Sequence, residues 1–345
     1  MAMTKRERCL AAVTGGQPDQ IPYSLWSHMP QFDLDADLIT EATYQFYKDY
    51  DLDFIKTMNN GMYSIEDFGC EIDYSEIPKG GMAKMVSTPI HQAEDWNKLQ
   101  VVPLEAKGLA RELKYLQMIL EKVKDEDVPV IFTVFSPITT ANKLCGGEIG
   151  TYIHNGHGEA VKAALEVITQ TTCNLAAKAV EMGAAGVFFA SQMSNYATSM
   201  AKEPLSVEEY EQYGKVYDVR VIEAANQAGA WMNTLHCHGD NIMFDLLKDY
   251  PVQVFNWHAW ETYPTIEEAL CLTDKCLMGG LKRFDITDCS YNAIRNQVFE
   301  CCKLTKGRRL ILTPGCVIRY PLDEEMLAYV KRTKEFVEQA ILHSH

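Results

Sequence analysis

The 345-residue chain lacks several features, and each gap narrows its possible roles. No stretch approaches the roughly 18 uninterrupted apolar residues of a spanning helix, so no membrane partner is expected. The opening MAMTKRERCLAAVTGG is basic, but its apolar run is too brief for a signal-peptide core, and the expected location is cytoplasmic. There is no low-complexity tract, no long Pro/Ser/Gly linker and no internal repeat, which predicts one domain over 1–345. No G-x-G-x-x-G, P-loop or serine elbow occurs, which removes the usual phosphate cradles and the serine triad. The eleven cysteines show no CxxC and no framework spacing. They read as reduced intracellular thiols, most of them small core residues. Positive charge is scarce as well. Lys and Arg number 32 against 47 Asp and Glu, a net charge of −15. Such a surface repels phosphate backbones, so nucleic acid is not an expected partner.

What recurs is a short β-rich apolar run followed by a helical pattern. The runs are Ile21–Trp26, Asp53–Met58, Pro129–Val134, Ala185–Ala190, Trp231–His236, Val252–Trp257, Cys276–Leu281 and Leu310–Thr313. Eight such runs, mostly separated by helices, predict an α/β fold, a single (β/α)8 TIM barrel. A doubly wound sheet would produce the same alternation. Thr4/Glu7, Ser206/Glu209 and Thr265/Glu268 have capping-box spacing. Val161–Met182 and Val207–Ala228 carry helical periodicity and end at Gly183 and Gly229. Pro321–Leu342 reads as a closing helix. Residues 59–102 break the alternation with CEIDYSEI and AKMVSTPI, and are expected to form a β-hairpin-containing excursion after the second strand.

The chemistry concentrates in TLHCHGDN, Thr234–Asn241. Residues two apart on a strand face the same side, so His236 and His238 should project together with Cys237 opposite. Gly239 ends the strand, which places the pair at the carboxyl end, where barrel active sites form. Two imidazoles there are candidate zinc ligands, and Cys316 in ILTPGC, past the eighth run, is the candidate third. The bland alternatives are a hydrogen-bonded His pair and an ordinary Pro-Gly-Cys turn. His258 is a candidate fourth ligand or general acid/base. Trp26, His28, Asn59, Gln192, Tyr196 and Trp257 follow other strands and are candidate substrate-binding residues on an aromatic wall; Trp26 and Trp257 would equally serve as caps of the barrel.

At these residues the chain resembles the uroporphyrinogen decarboxylase superfamily over nearly its whole length. The resemblance runs through TKRERCLAAVTGGQPDQIPYSLW, FGCEIDYSE, MVSTPI, MGAAGVFFASQ, TLHCHGDN, CLMGGLKRF and ILTPGCVIRYPLDEEML in order. It implies a (β/α)8 barrel with its pocket at the strands' carboxyl ends. True decarboxylases of this kind carry an arginine-rich segment after strand one and an aspartate after strand two. Here Cys9 to Tyr47 contains no Lys or Arg, and Asn59-Asn60 stands where the aspartate belongs, so porphyrinogen decarboxylation is not expected. The other branch, the cobamide-dependent methyltransferases, resembles this chain in a His-x-Cys pair on strand five and a Pro-Gly-Cys turn after strand eight, which together hold catalytic zinc. His236 and Cys316 match; position 238 is His rather than Cys, and Cys237 is the lower-ranked neighbouring thiol. The resemblance thus implies Zn2+ on His236, His238 and Cys316, and a corrinoid (cobalamin) carried by a separate partner protein. The substrate would be a small methylated compound or a thiol. A homodimer is one candidate assembly. The alternatives are a metal-independent decarboxylase-like lyase on a small acid and a non-catalytic binding protein.

Overall fold

The computed structural model describes residues 2–197 and 200–342. Its centre is a curled sheet of seven parallel strands, β1 (Ile55–Lys56), β4 (Val130–Phe135), β5 (Gly186–Ser191), β6 (Thr234–Cys237), β7 (Val254–Trp257), β8 (Cys276–Leu281) and β9 (Leu310–Pro314), adjacent in that order. An antiparallel pair, β2 (Glu71–Asp73) with β3 (Lys84–Ser87), lies within the excursion after β1. Helices connect the parallel strands, including Lys107–Lys122, Gly158–Glu181, Val216–Gln227 and Tyr291–Thr305. All six residues of β5 and of β8 are buried, as expected of parallel strands covered on both faces. No described helix is long and apolar enough to cross a membrane.

The first predicted run does not form a regular ladder. Residues 21–24 are extended and bridge the two edge strands by a mixture of bonds. On one side Ser24 N donates to Leu312 O (3.1 Å) and Leu312 N to Pro22 O (2.8 Å); on the other Asp53 N donates to Tyr23 O (2.9 Å). The ladder is interrupted because Pro22 has no N–H and because the Asp53 side chain takes the Tyr23 N–H at 2.8 Å. Ser24 Oγ adds a bond to Phe54 O at 2.8 Å. From the other side, Ile21 N donates to Glu338, which is held by Lys334 at 2.9 Å on the last helix, Glu324–Leu342.

All three capping boxes form, starting the helices at Lys5, Val207 and Ile266. Each satisfies two backbone donors that would otherwise lack a partner. The closing helix begins at Glu324 rather than Pro321.

Candidate metal centre

The carboxyl ends of β6, β7 and β9 meet at one point. One ligand atom each from His236, His238, His258 and Cys316 lies within 4.8 Å of the others. Cys316 Sγ is 3.6 Å from His238 Nδ1, and the imidazole centroids are 5.2–6.0 Å apart. The strand period of two places His236 and His238 on the inner side and sends Cys237 to the outer side. There Cys237 is fully buried, within the field of the Asp218 carboxyl, and it is not among the converging donors.

Two features bear on whether these side chains could hold an ion. Asn256 pairs with His236 across β6 and β7. Its Nδ2 donates to Met278 O (2.9 Å) and Pro314 O (3.2 Å), so its Oδ1 faces His236 Nδ1 at 2.6 Å and accepts a hydrogen bond from the Nδ1–H. That bond fixes the tautomer and leaves the Nε2 lone pair free, the usual arrangement behind a metal-bound imidazole. His258 Nε2 is buried and has no hydrogen-bond partner, while its Nδ1 stands 3.6 Å from Glu261 Oε2. An unpaired buried ring nitrogen costs on the order of 1–3 kcal/mol unless something binds it. All three rings are held neutral. Burial lowers His238 to about 4 and His258 to about 3, and lowers His236 well below its ordinary value, with its neighbouring imidazoles adding to the effect. Burial also raises the Cys316 thiol. Three neutral imidazoles and a thiol suit zinc, whose ligands are nitrogen and sulfur.

The Pro-Gly-Cys turn has a steric reason. A Cβ on Gly315 would lie 2.6 Å from Trp257 O and 3.0 Å from His258 Cα, so only glycine lets the chain after β9 pass this close to β7. The same loop is tied to the first segment: Ile318 N donates to Trp26 O (3.0 Å) and Ser27 Oγ to Ile318 O (2.7 Å). Cys316 is thereby set beside His238 from two directions.

A cavity of about 120 Å3 adjoins the cluster. Of the predicted residues, Trp26, His28, Asn59, Gln192, His236, His238 and Cys316 line it. Tyr196 and Trp257 do not. Tyr196 is 54% exposed on the loop after β5. Trp257 follows the inward-facing Asn256 and therefore faces outward, where its Nε1 donates to Pro264 O at 2.8 Å and its ring packs on Phe244. His258 joins the donor cluster without lining the cavity.

Sequence reasoning missed Lys56, Arg283, Phe188 and Thr133, which also line the cavity. Lys56 Nζ sits 4.7 Å over the Phe188 ring, which also stacks with the His236 imidazole at 5.1 Å. Burial lowers Lys56 to about 8. A signal was present: Lys56 is the lone charge in the apolar run FIKTM, and lysine is rarely buried in a strand without cause.

The family model of uroporphyrinogen decarboxylase (URO-D) matches residues 4–335, and the chain belongs to that family. A methyltransferase from Methanosarcina mazei superposes with a TM-score of 0.81 at 17% identity, covering 97% of this chain and 99% of that one. A B12-independent methionine synthase from Shewanella sp. W3-18-1 gives a TM-score of 0.58 at 13% identity, over 94% and 97% of the two chains. These likenesses establish a shared fold. No curated protein matches the chain.

Proposed function

We propose that this chain is a zinc-dependent methyltransferase that moves a methyl group between a small methylated substrate, or a thiol, and the cobalt of a separate corrinoid protein. One observation carries the reading: four nitrogen and sulfur donors converge within 4.8 Å beside a small cavity, in a fold shared with a methyltransferase. His236, His238, Cys316 and His258 would hold the ion. When bound there, zinc supplies Lewis acidity that polarises a methylated heteroatom or keeps a thiol deprotonated. The protein's own residues do the rest. Asn256 holds the His236 ring in one tautomer and one orientation. Trp26 and Phe188, edge to face at 5.6 Å, give the cavity an apolar wall.

Three imidazoles and one sulfur make a less anionic ligand set than one rich in thiolates. Such a set favours polarising a neutral ether, thioether or amine, which is the demethylating direction. The cavity of about 120 Å3 suits a small substrate. On this reading the corrinoid arrives on a separate protein and faces the carboxyl ends of the parallel strands, where the cavity lies.

Methyl transfer to reduced cobalamin, followed by absorbance with zinc-loaded protein and a panel of small methyl ethers, thioethers and amines, tests the reading. His236→Ala and Cys316→Ala should each lower the rate at least a hundredfold. Wild-type rates in both variants would rule the reading out.

A further inference from the structure

The cavity wall contains no Asp or Glu, in a protein that carries an excess of 15 negative charges. Its fixed charges are two cations from distant parts of the chain, Lys56 at the end of β1 and Arg283 just past β8. Neither forms an ion pair among the described residues. Lys56 Nζ donates to Thr57 O at 3.2 Å, which leaves two ammonium protons without an acceptor. Arg283 Nε is buried with no hydrogen-bond partner. Glu261 lies within the field of Arg283, but its Oε2 faces His258 Nδ1 at 3.6 Å. A third donor, the buried Trp26 indole N–H, also lacks an acceptor. Buried polar groups are normally satisfied, and these three unsatisfied donors, away from the imidazole lone pairs of the His–Cys cluster, mark the place of an acceptor-rich group of a ligand.

We infer that the cavity takes a small carboxylate-bearing substrate, its anionic end held by Lys56 and Arg283 and its methylated heteroatom turned towards the His–Cys cluster. The assignment of the methylated end rests on the methyltransferase reading; the anion subsite does not. The Lys56 ammonium, 4.7 Å from the Phe188 centroid, and the His236 ring, 5.1 Å from it, share that ring as a neighbour, so a small molecule against Phe188 is within reach of both. The two cations supply specificity. A carboxylate accepts charge-assisted bonds from both, whereas an amide of the same shape forms only neutral-acceptor bonds and brings an NH2 group against two donors.

Methoxyacetate and its uncharged isostere methoxyacetamide differ in that one group, and calorimetric titration of the metal-free full-length chain compares them without competition from zinc. The expected result is at least tenfold tighter binding of methoxyacetate, falling to parity in Lys56→Met, with Arg283→Gln reducing the ratio as well. Lys56→Met removes an unpaired buried charge and keeps the stem's volume, so the variant should fold. Equal affinity of the two probes, a preference that survives both substitutions, or no binding of either probe overturns the inference. Zinc uptake, measured on aliquots of the same preparations after incubation with zinc and dialysis, separates the two ideas. Stoichiometric zinc without a carboxylate preference removes the subsite alone. A preserved preference with no zinc uptake removes the methyltransferase reading alone.

Discussion

Gly315→Ala should weaken zinc binding although it removes no ligand. The added Cβ would meet Trp257 O at 2.6 Å, His258 Cα at 3.0 Å and Trp257 C at 3.2 Å, all backbone atoms that cannot swing aside. Moving the first contact out from 2.6 Å to an ordinary 3.4 Å asks for about 0.8 Å of separation between the Cys316 loop and the His258 backbone. Metal–ligand distances tolerate only about 0.2 Å, so a displacement of this size between two of the four donors should cost about 10- to 100-fold in affinity. The strain on the fold itself should be about 1–3 kcal/mol, as for other overpacked sites. Competition titration against a chromophoric chelator reads the affinity, and circular dichroism checks the fold. Unchanged zinc affinity in a folded Gly315→Ala protein would show that the close passage of β9 and β7 does not set the site.

Two further outcomes follow from buried polar groups. Asn256→Ala should weaken zinc binding about 10- to 100-fold by freeing the His236 ring, and an unchanged affinity in the same titration would show that the tautomer is set elsewhere. Asp218, fully buried, accepts from Tyr210 Oη (2.6 Å) and Tyr250 Oη (3.0 Å), has no cation among its partners, and is raised by burial to about 7. Because its folded value lies above the unfolded one near 4, the native state holds a proton that the unfolded chain has lost. Stability should therefore decline as pH rises from about 4 to about 7, by at most about 4 kcal/mol. Asp218→Asn should flatten that decline in denaturant melts, and an unaltered pH slope would refute the assignment.

The parts of this molecule that follow from local pattern were legible in the sequence. Thr4, Ser206 and Thr265 announced helix starts because a cap and its partner lie within one turn. His236 and His238 could be placed on one face because a strand alternates strictly. The same rule, counted from Asn256, would have turned Trp257 outward; it was obscured because Asn256 gains meaning only from its partner on the neighbouring strand. The segment 21–24 looked like any other apolar run, and only the Asp53 side chain, which takes one of its donors, makes its pairing irregular. The charge of the cavity was legible only in part, through Lys56 as the lone charge of the run FIKTM. Lys56 and Arg283 lie more than 200 residues apart, and what distinguishes them is the absence of a carboxylate from a wall assembled out of several strand ends. Absence of that kind is a property of the folded arrangement and has no sequence pattern.

The most direct test of the account is metal content. After incubation with zinc and exhaustive dialysis, elemental analysis of the wild-type chain should find one zinc per polypeptide, and the His236→Ala, Cys316→Ser double variant should retain none while still folding. A folded wild-type protein that emerges with no stoichiometric metal, or a double variant that binds zinc as well as the parent, would contradict it.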